Sequence, residues 1–276
     1  AAVHHLLDEG WLYVLRFDTG RVSAGVLLEA PPTGGPKAAW HGVLSRYPTL
    51  LAAFANARPL PPGVRMTGPL QRRRQRAAAP GWALLPHSYA FYDPLFSTGL
   101  AWSLLGVERL AEALDAPTPQ DTLLTRYDTL LAREADQQAA LLTAAYRARR
   151  DMALFRPLSF LYFACVSHEE IRLRLGLLPS GDEPTPPAWR GFLGAGHAPW
   201  PTLFAEALAR LEASGDDQQA FADWVHHAIA PHNLVGLGDS HTHLYGIELD
   251  ALRASHARLG VSLDELETRL PRLRGR

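Results

Sequence analysis

Four short constellations in this chain hold residue types that can do chemistry. The segment Asp93-Pro94-Leu95-Phe96-Ser97-Thr98-Gly99 interrupts regular structure. An apolar strand ends, the chain turns through Asp-Pro, and Ser97-Thr98-Gly99 opens a helix. The first amides of a helix have no internal partners and lie at the positive end of its dipole. They suit an anion or an electron-rich ring edge, and Gly99 lets such a ligand approach the backbone. Plain N-capping by Ser97 or Thr98 is the alternative. His241-Thr242-His243, with Asp239 before it and His226, His227 and His232 upstream, offers the donors that a zinc hydrolase uses. Such a pair normally begins a barrel, whereas this one stands near the C-terminus without a strand–helix alternation. Surface or helix-end histidines are the simpler reading, and no metal ligand is assigned. Arg72, Arg73, Arg74 and Arg76 could bind phosphate, but alternation along a strand splits them between two faces. The aromatic run Phe155, Phe160, Tyr162 and Phe163 reads as core.

Composition narrows the classes further. The chain has 276 residues, 47% hydrophobic and 20% charged, which is globular. With 27 basic and 28 acidic side chains its formal charge is -1, so no overall field draws nucleic acid or anionic lipid. Cys165 is the sole cysteine, which excludes an intrachain disulfide and Cys-rich metal sites. Lys37 is the sole lysine and makes Schiff-base chemistry nearly untenable. Apolar stretches stop short of the ~20 residues of a spanning helix. The opening Ala1-Ala2-Val3-His4-His5 has no signal-peptide pattern, so no membrane partner and a cytoplasmic location are expected. No P-loop is present. Gly194-Ala195-Gly196 lacks the strand–turn–helix frame of a dinucleotide site.

The elements that must position these residues change character along the chain. Trp11–Phe17 and Val22–Leu28, joined through Asp18-Thr19-Gly20, read as a hairpin. Residues 38–56 have helical spacing broken at Pro48, with Trp40, Val43, Leu44 and Tyr47 on one face. Residues 64–76 and 81–86 read as strands. A helix with apolar Leu100, Leu104, Leu105, Val107, Leu110 and Leu114 follows. Residues 121–150 form one long amphipathic pattern, and 151–175 a second, interrupted near Pro157. Helical patterns resume at 202–213, 218–229, 248–259 and 262–270. Strands first and helices afterwards give an α+β order.

Three stretches together resemble flavin-dependent halogenases of the tryptophan halogenase-like branch of the flavin monooxygenase superfamily. Gly10-Trp11-Leu12-Tyr13-Val14-Leu15-Arg16-Phe17 is similar to the family's W-x-W-x-I-P strand. Trp82 through Gly99 is similar to its second flavin segment. Ala230-Pro231-His232-Asn233-Leu234-Val235-Gly236-Leu237, with Leu244-Tyr245, is similar to its C-terminal signature. The resemblance implies FAD as cofactor, with chloride as a further ligand in a halogenase. It implies that the Thr98 and Gly99 amides face the flavin, that Asp93, Pro94 and Ser97 shape the loop, and that Trp11 and Tyr13 lie near the ring face. It gives a small organic substrate, no nucleic-acid partner, and a place for a flavin reductase. It divides the chain into substrate-sheet strands with a helical insertion (1–76), a flavin-contacting strand–loop–helix (77–116) and a helical region over the substrate pocket (117–276). The chain reads as the C-terminal portion of the enzyme, with sequence expected upstream of Ala1.

Departures from the family pattern temper the chemistry. Tyr13 replaces the second Trp, Leu15-Arg16 the Ile-Pro, and Phe96 the glutamate of tryptophan halogenases. Pro86-His87 stands where a Gly-Asp pair usually meets the ribityl chain. The catalytic lysine of halogenases belongs to the half that is absent, and Lys37 does not replace it. No catalytic residue is assigned. An oxidoreductase of halogenase or monooxygenase type is expected. A non-catalytic helical binding module with a vestigial flavin segment is the alternative, and a metal hydrolase using His241 and His243 comes third.

Overall fold

The structure is a computed structural model that describes residues 2–116, 120–177, 189–213, 217–238 and 247–271. Contacts divide the chain into two units, residues 1–71 and 72–276.

The first unit is a three-stranded antiparallel meander, β1 (Ala2–Leu7), β2 (Gly10–Arg16) and β3 (Val22–Leu28), followed by α1 (Pro36–Leu44) and α2 (Pro48–Ala53). Leu7 pairs with Gly10 across a two-residue turn, and Gly10 pairs with Leu28 on the other side. A Cβ at Gly10 would strike the Leu27 carbonyl, so the close approach of β3 requires glycine there. Leu7, Leu12, Val43, Leu44 and Leu50 form the core, joined by Trp40, Tyr47 and Phe54. Tyr47 fixes the helices to the first turn: its hydroxyl donates to Glu9 at 2.7 Å and accepts from the Asp8 amide at 2.9 Å.

The second unit begins with short pairings: β4 (Arg72–Arg73) with β7 (Ala90–Phe91), and β5 (Ala78–Ala79) with β6 (Trp82–Ala83). Of the strand expected over 64–76 only Arg72–Arg73 forms, because Pro61, Pro62, Gly63, Gly68 and Pro69 leave no ladder to extend. The strand expected over 81–86 stops at Ala83, and Pro86 opens the single turn α3 (Pro86–Tyr89). Then come α4 (Gly99–Asp115), α5 (Gln120–Ala148), α6 (Met152–Arg174), α7 (Trp200–Ala213), α8 (Gln218–Ile229), α9 (Leu249–Ala254) and α10 (Leu263–Arg269). The break expected at Pro157 does not occur; α6 runs through it. Pro157 lies in the second turn, where it removes a single helical bond, and it is buried as α6 packs against α5 and α8.

Helix α4 is oriented by a buried ion pair rather than by its leucines. Trp102, Gly106, Arg109 and Ala113 form its buried face, while Leu100, Leu104, Val107 and Leu114 remain exposed. Arg109 and Glu134 of α5 are both fully buried. The guanidinium donates two bonds to that carboxylate, at 2.9 and 2.6 Å, and a third to the Arg190 carbonyl at 2.9 Å. Trp102 Nε1 and the Phe192 amide donate to the same carboxylate at 2.7 and 2.6 Å. Around it pack Tyr89, Tyr127, Leu131, Ala135 and Trp189.

Removing one partner strands a buried charge, so Arg109→Met is expected to destabilise the protein by about 3–5 kcal/mol. Arg109→Met combined with Glu134→Leu is expected to cost less than the single change. Chemical denaturation of both variants checks this; equal or larger loss in the double variant would contradict it.

Candidate functional site

The turn before α4 is built by Asp93. Its buried carboxylate accepts from the Leu95 amide at 2.9 Å and from the Tyr146 hydroxyl of α5. Pro94 starts a 3-10 turn, Pro94–Phe96, closed by Ser97 donating its amide to the Pro94 carbonyl at 2.9 Å. Ser97 takes up a left-handed conformation, φ 53°, rare outside glycine. Phe96 is fixed from α6: Tyr162 donates its hydroxyl to the Phe96 carbonyl at 3.0 Å, and the two rings lie 4.6 Å apart.

This turn delivers the start of α4 without a side-chain cap. Thr98 is the capping residue, yet its hydroxyl donates to Gln138 of α5 at 3.1 Å instead of accepting from the helix. The first helical bond runs from the Trp102 amide to the Thr98 carbonyl at 3.1 Å. The amides of Gly99, Leu100 and Ala101 precede it and are not used by the helix. The capping alternative for Thr98 therefore does not describe this turn. Asp93, Pro94, Ser97, Thr98 and Gly99 stand together as the sequence implies.

The reason for glycine at position 99 differs from the expected one. A Cβ there would meet the imidazole of His87, which packs edge-on against the backbone. The space assigned to a ligand ring is, on that side, already held by a side chain. Burial, helped by the Arg72 guanidinium, lowers the His87 pKa. Arg72 donates to the His87 carbonyl at 3.0 Å and lies 5.3 Å from the Phe91 ring.

Trp11 and Tyr13 lie on β2 in the first unit; Trp11 is buried, 4.8 Å from the His4 ring, and Tyr13 covers Gly25 of β3. Arg73 pairs with Asp136 at 2.5 Å and Arg76 with Asp128 at 3.4 Å. His241, His243, Asp239 and the Leu244-Tyr245 pair lie outside the described residues. His226 and His227 end α8. Among the described residues no group of three or more His, Cys, Asp or Glu side chains is arranged to hold a metal ion.

One constellation joins His232 of the C-terminal signature to residues that no motif singled out. Glu169 Oε1 accepts from His168 at 3.0 Å, His197 at 3.2 Å and Trp200 at 3.0 Å. His232 stands 5.1 Å from both the His168 and Trp200 rings. Burial pushes the Glu169 carboxyl up, but the bonds from His168, His197 and Trp200 outweigh it and hold the group far below the carboxylate range. An acid helix residue with donors 28 and 31 positions away leaves no sequence signal.

Residues 37–161 match the tryptophan halogenase family. The chain is 27% identical over 130 residues to tetracycline 7-halogenase of Kitasatospora aureofaciens, covering 43% of this chain and 23% of that protein. It is 31% identical over 124 residues to monodechloroaminopyrrolnitrin halogenase PrnC of Pseudomonas fluorescens, covering 41% and 21%. The crystal structure of halogenase PltM has the same fold, with TM-score 0.72 and 22% identity over 90% of this chain and 55% of that one. PltM in complex with phloroglucinol and FAD gives TM-score 0.66 over 86% and 53%. The aligned segment thus spans under a quarter of the two curated relatives, and the chain about half of the solved one. No helix among the described residues is long and apolar enough to cross a membrane.

Two measurements follow from this geometry. Gly99→Ala is expected to cost about 1 kcal/mol alone, and to be neutral or stabilising in a His87→Ala background, where alanine's better helix propensity is unopposed. Urea unfolding of the four-member cycle checks it; the same effect in both backgrounds would refute the packing argument. For Glu169, a depressed folded pKa gives stability present above the ordinary value of 4.5 and lost as pH falls below it. Glu169→Gln is expected to flatten that acid limb, read from urea midpoints between neutral and acid pH.

Residues 37–161 are thus similar in sequence to the tryptophan halogenase family, and 90% of the chain shares the fold of halogenase PltM.

Proposed function

We propose that this chain is part of an FAD-dependent, halogenase-like oxidoreductase acting on a small organic substrate. The observation that carries the reading is the uncapped start of α4, with Thr98 turned to Gln138 and the Gly99, Leu100 and Ala101 amides left by the helix. That donor set fits the electron-rich edge of a flavin or a halide beside it. The amides of Gly99, Leu100 and Ala101, with that of Thr98 before them, would hold the ring edge, and Asp93, Pro94 and Ser97 would fix the turn that aims them. Bound FAD would supply the oxidation, and the protein would exclude water and position the substrate. The curated relatives are named as halogenases, and a complex of PltM holds FAD with phloroglucinol, which supports flavin and a small organic substrate.

Chloride oxidation would draw on the lysine of the family's other half, and Lys37, in the first turn of α1 in the first unit, is not its counterpart. Phe96, set against Phe155 and Tyr162, makes the position before Ser-Thr-Gly apolar, so tryptophan is disfavoured as substrate. Reducing equivalents would come from a separate flavin reductase.

Leu100→Pro tests the amide contact. A first-turn proline is compatible with the helix, and Leu100 is exposed, so the change deletes an amide and little packing. Flavin affinity is expected to fall by roughly one to two decades, from about 1–3 kcal/mol, while Leu100→Ala leaves it unchanged. Flavin fluorescence titration with circular dichroism of the full-length protein reads both; equal affinities would remove the site.

A further inference from the structure

Helix α4 carries an outer face as regular as its inner one. Beyond Leu100, which belongs to the start of the helix, Leu104, Val107, Ala111 and Leu114 follow at intervals of three, four and three residues. All four are exposed, Leu104 by 60%, Val107 by 49% and Leu114 by 69%. They are not the way of the helix into its own core, because Trp102, Gly106, Arg109 and Ala113 already form the buried face, held to α5 through Glu134. Single exposed leucines are ordinary on a surface. A stripe repeated over about three turns is not, since a solvated helix face carries polar residues there. Spacing of three and four residues is the seam that a second helix fills at a shallow crossing angle. Glu108 and Asp115, exposed and seven residues apart, run along one flank of the stripe. The one basic residue of α4, Arg109, is fully buried on Glu134. A second copy of α4 would therefore bring carboxylates and no cation to that flank.

The shared fold supplies a different occupant. It covers 90% of this chain but only 55% of PltM, so PltM holds further structure outside the shared region. We propose that Leu104, Val107, Ala111 and Leu114 form a docking face for the counterpart of that further structure, which lays an apolar helix along α4. The face is rigid before docking. Arg109 holds α4 to α5 with two bonds to Glu134 and Trp102 adds a third, so the stripe is presented at one rotation. The small Ala111 leaves room between Val107 and Leu114 for a side chain of the partner helix. Docking here also accounts for the disagreement between periodicity and burial in α4: the residues that periodicity picks as an inner face become inner once the partner is seated. No part of this docking uses a bound flavin, so it stands apart from the cofactor reading.

The test places a single reporter on the face. Leu104→Cys and Leu114→Cys are made in this chain and in the full-length protein, and maleimide labelling of each position is followed by peptide mass spectrometry. Rates are taken relative to the unfolded protein. Cys165 is buried, so it contributes little background. The expected result is labelling close to the unfolded rate in this chain and at least about tenfold slower in the full-length protein. Hydroxyl-radical footprinting of Leu104 and Leu114 in the unsubstituted proteins should give the same contrast, and it decides if a cysteine variant does not fold. Equally fast labelling in both proteins would show the face open and overturn the proposal. Protection in this chain that rises with its concentration would assign the face to a second copy. Protection in this chain at every concentration would assign it to the chain's own segments. Either outcome overturns the docking of a further part of the fold.

Discussion

The Glu134 carboxylate accepts four hydrogen bonds in a place that water does not reach: two from Arg109 and one each from Trp102 and the Phe192 amide. Two of these residues lie on α4 and the third in the segment after residue 189, so one side chain of α5 sets the height and rotation of α4 and also receives the later chain. A buried pair of this kind gains little over an apolar one in net stability. Its consequence is orientational. Leucine stripes can slip by a turn at small cost, whereas a two-pronged guanidinium–carboxylate contact has one register.

From that register the turn before α4 follows. Glu134 fixes the helix body, Gln138 takes the Thr98 hydroxyl, and Tyr146 reaches the buried carboxylate of Asp93. All three stand on α5. Tyr162 of α6 adds the hold on Phe96. The outcome is a helix start that no side chain caps, kept in place by bonds to neighbouring helices. The same packing that turns Leu100, Leu104 and Leu114 of α4 outward brings its first amides and the His87 imidazole to one spot. The strain of Ser97, left-handed at φ 53°, is sustained by these contacts on both sides of it.

Much of this was legible in the sequence where local chemistry dominates. The Asp-x-Gly hairpin, the helical spacing broken at Pro48 and the break from strand to helix at Asp93 depend on neighbouring residues, and they appear where residue type placed them. The grouping of Asp93 through Gly99 was legible for the same reason. What long-range pairing decides was not. Apolar periodicity picks Leu100, Leu104 and Val107 as the inner face of α4, yet Arg109 and Trp102 are inside because Glu134, 25 residues on from Arg109, meets them there. A lone arginine in step with Trp102 and Gly106 was the available signal. Position 99 carries the same lesson: a glycine was read as room for a ligand, while the structure shows room for His87. The Glu169 cluster joins three separate segments and has no local signature.

The central claim is that the start of α4, aimed from α5, receives a flavin. Amide nitrogen–proton NMR during FAD addition tests it most directly, because it reports on the donors themselves. The account predicts saturable shifts and slowed hydrogen exchange at Gly99, Leu100 and Ala101, with the middle of α4 unchanged. FAD binding that leaves those three amides unshifted while other amides move would contradict it.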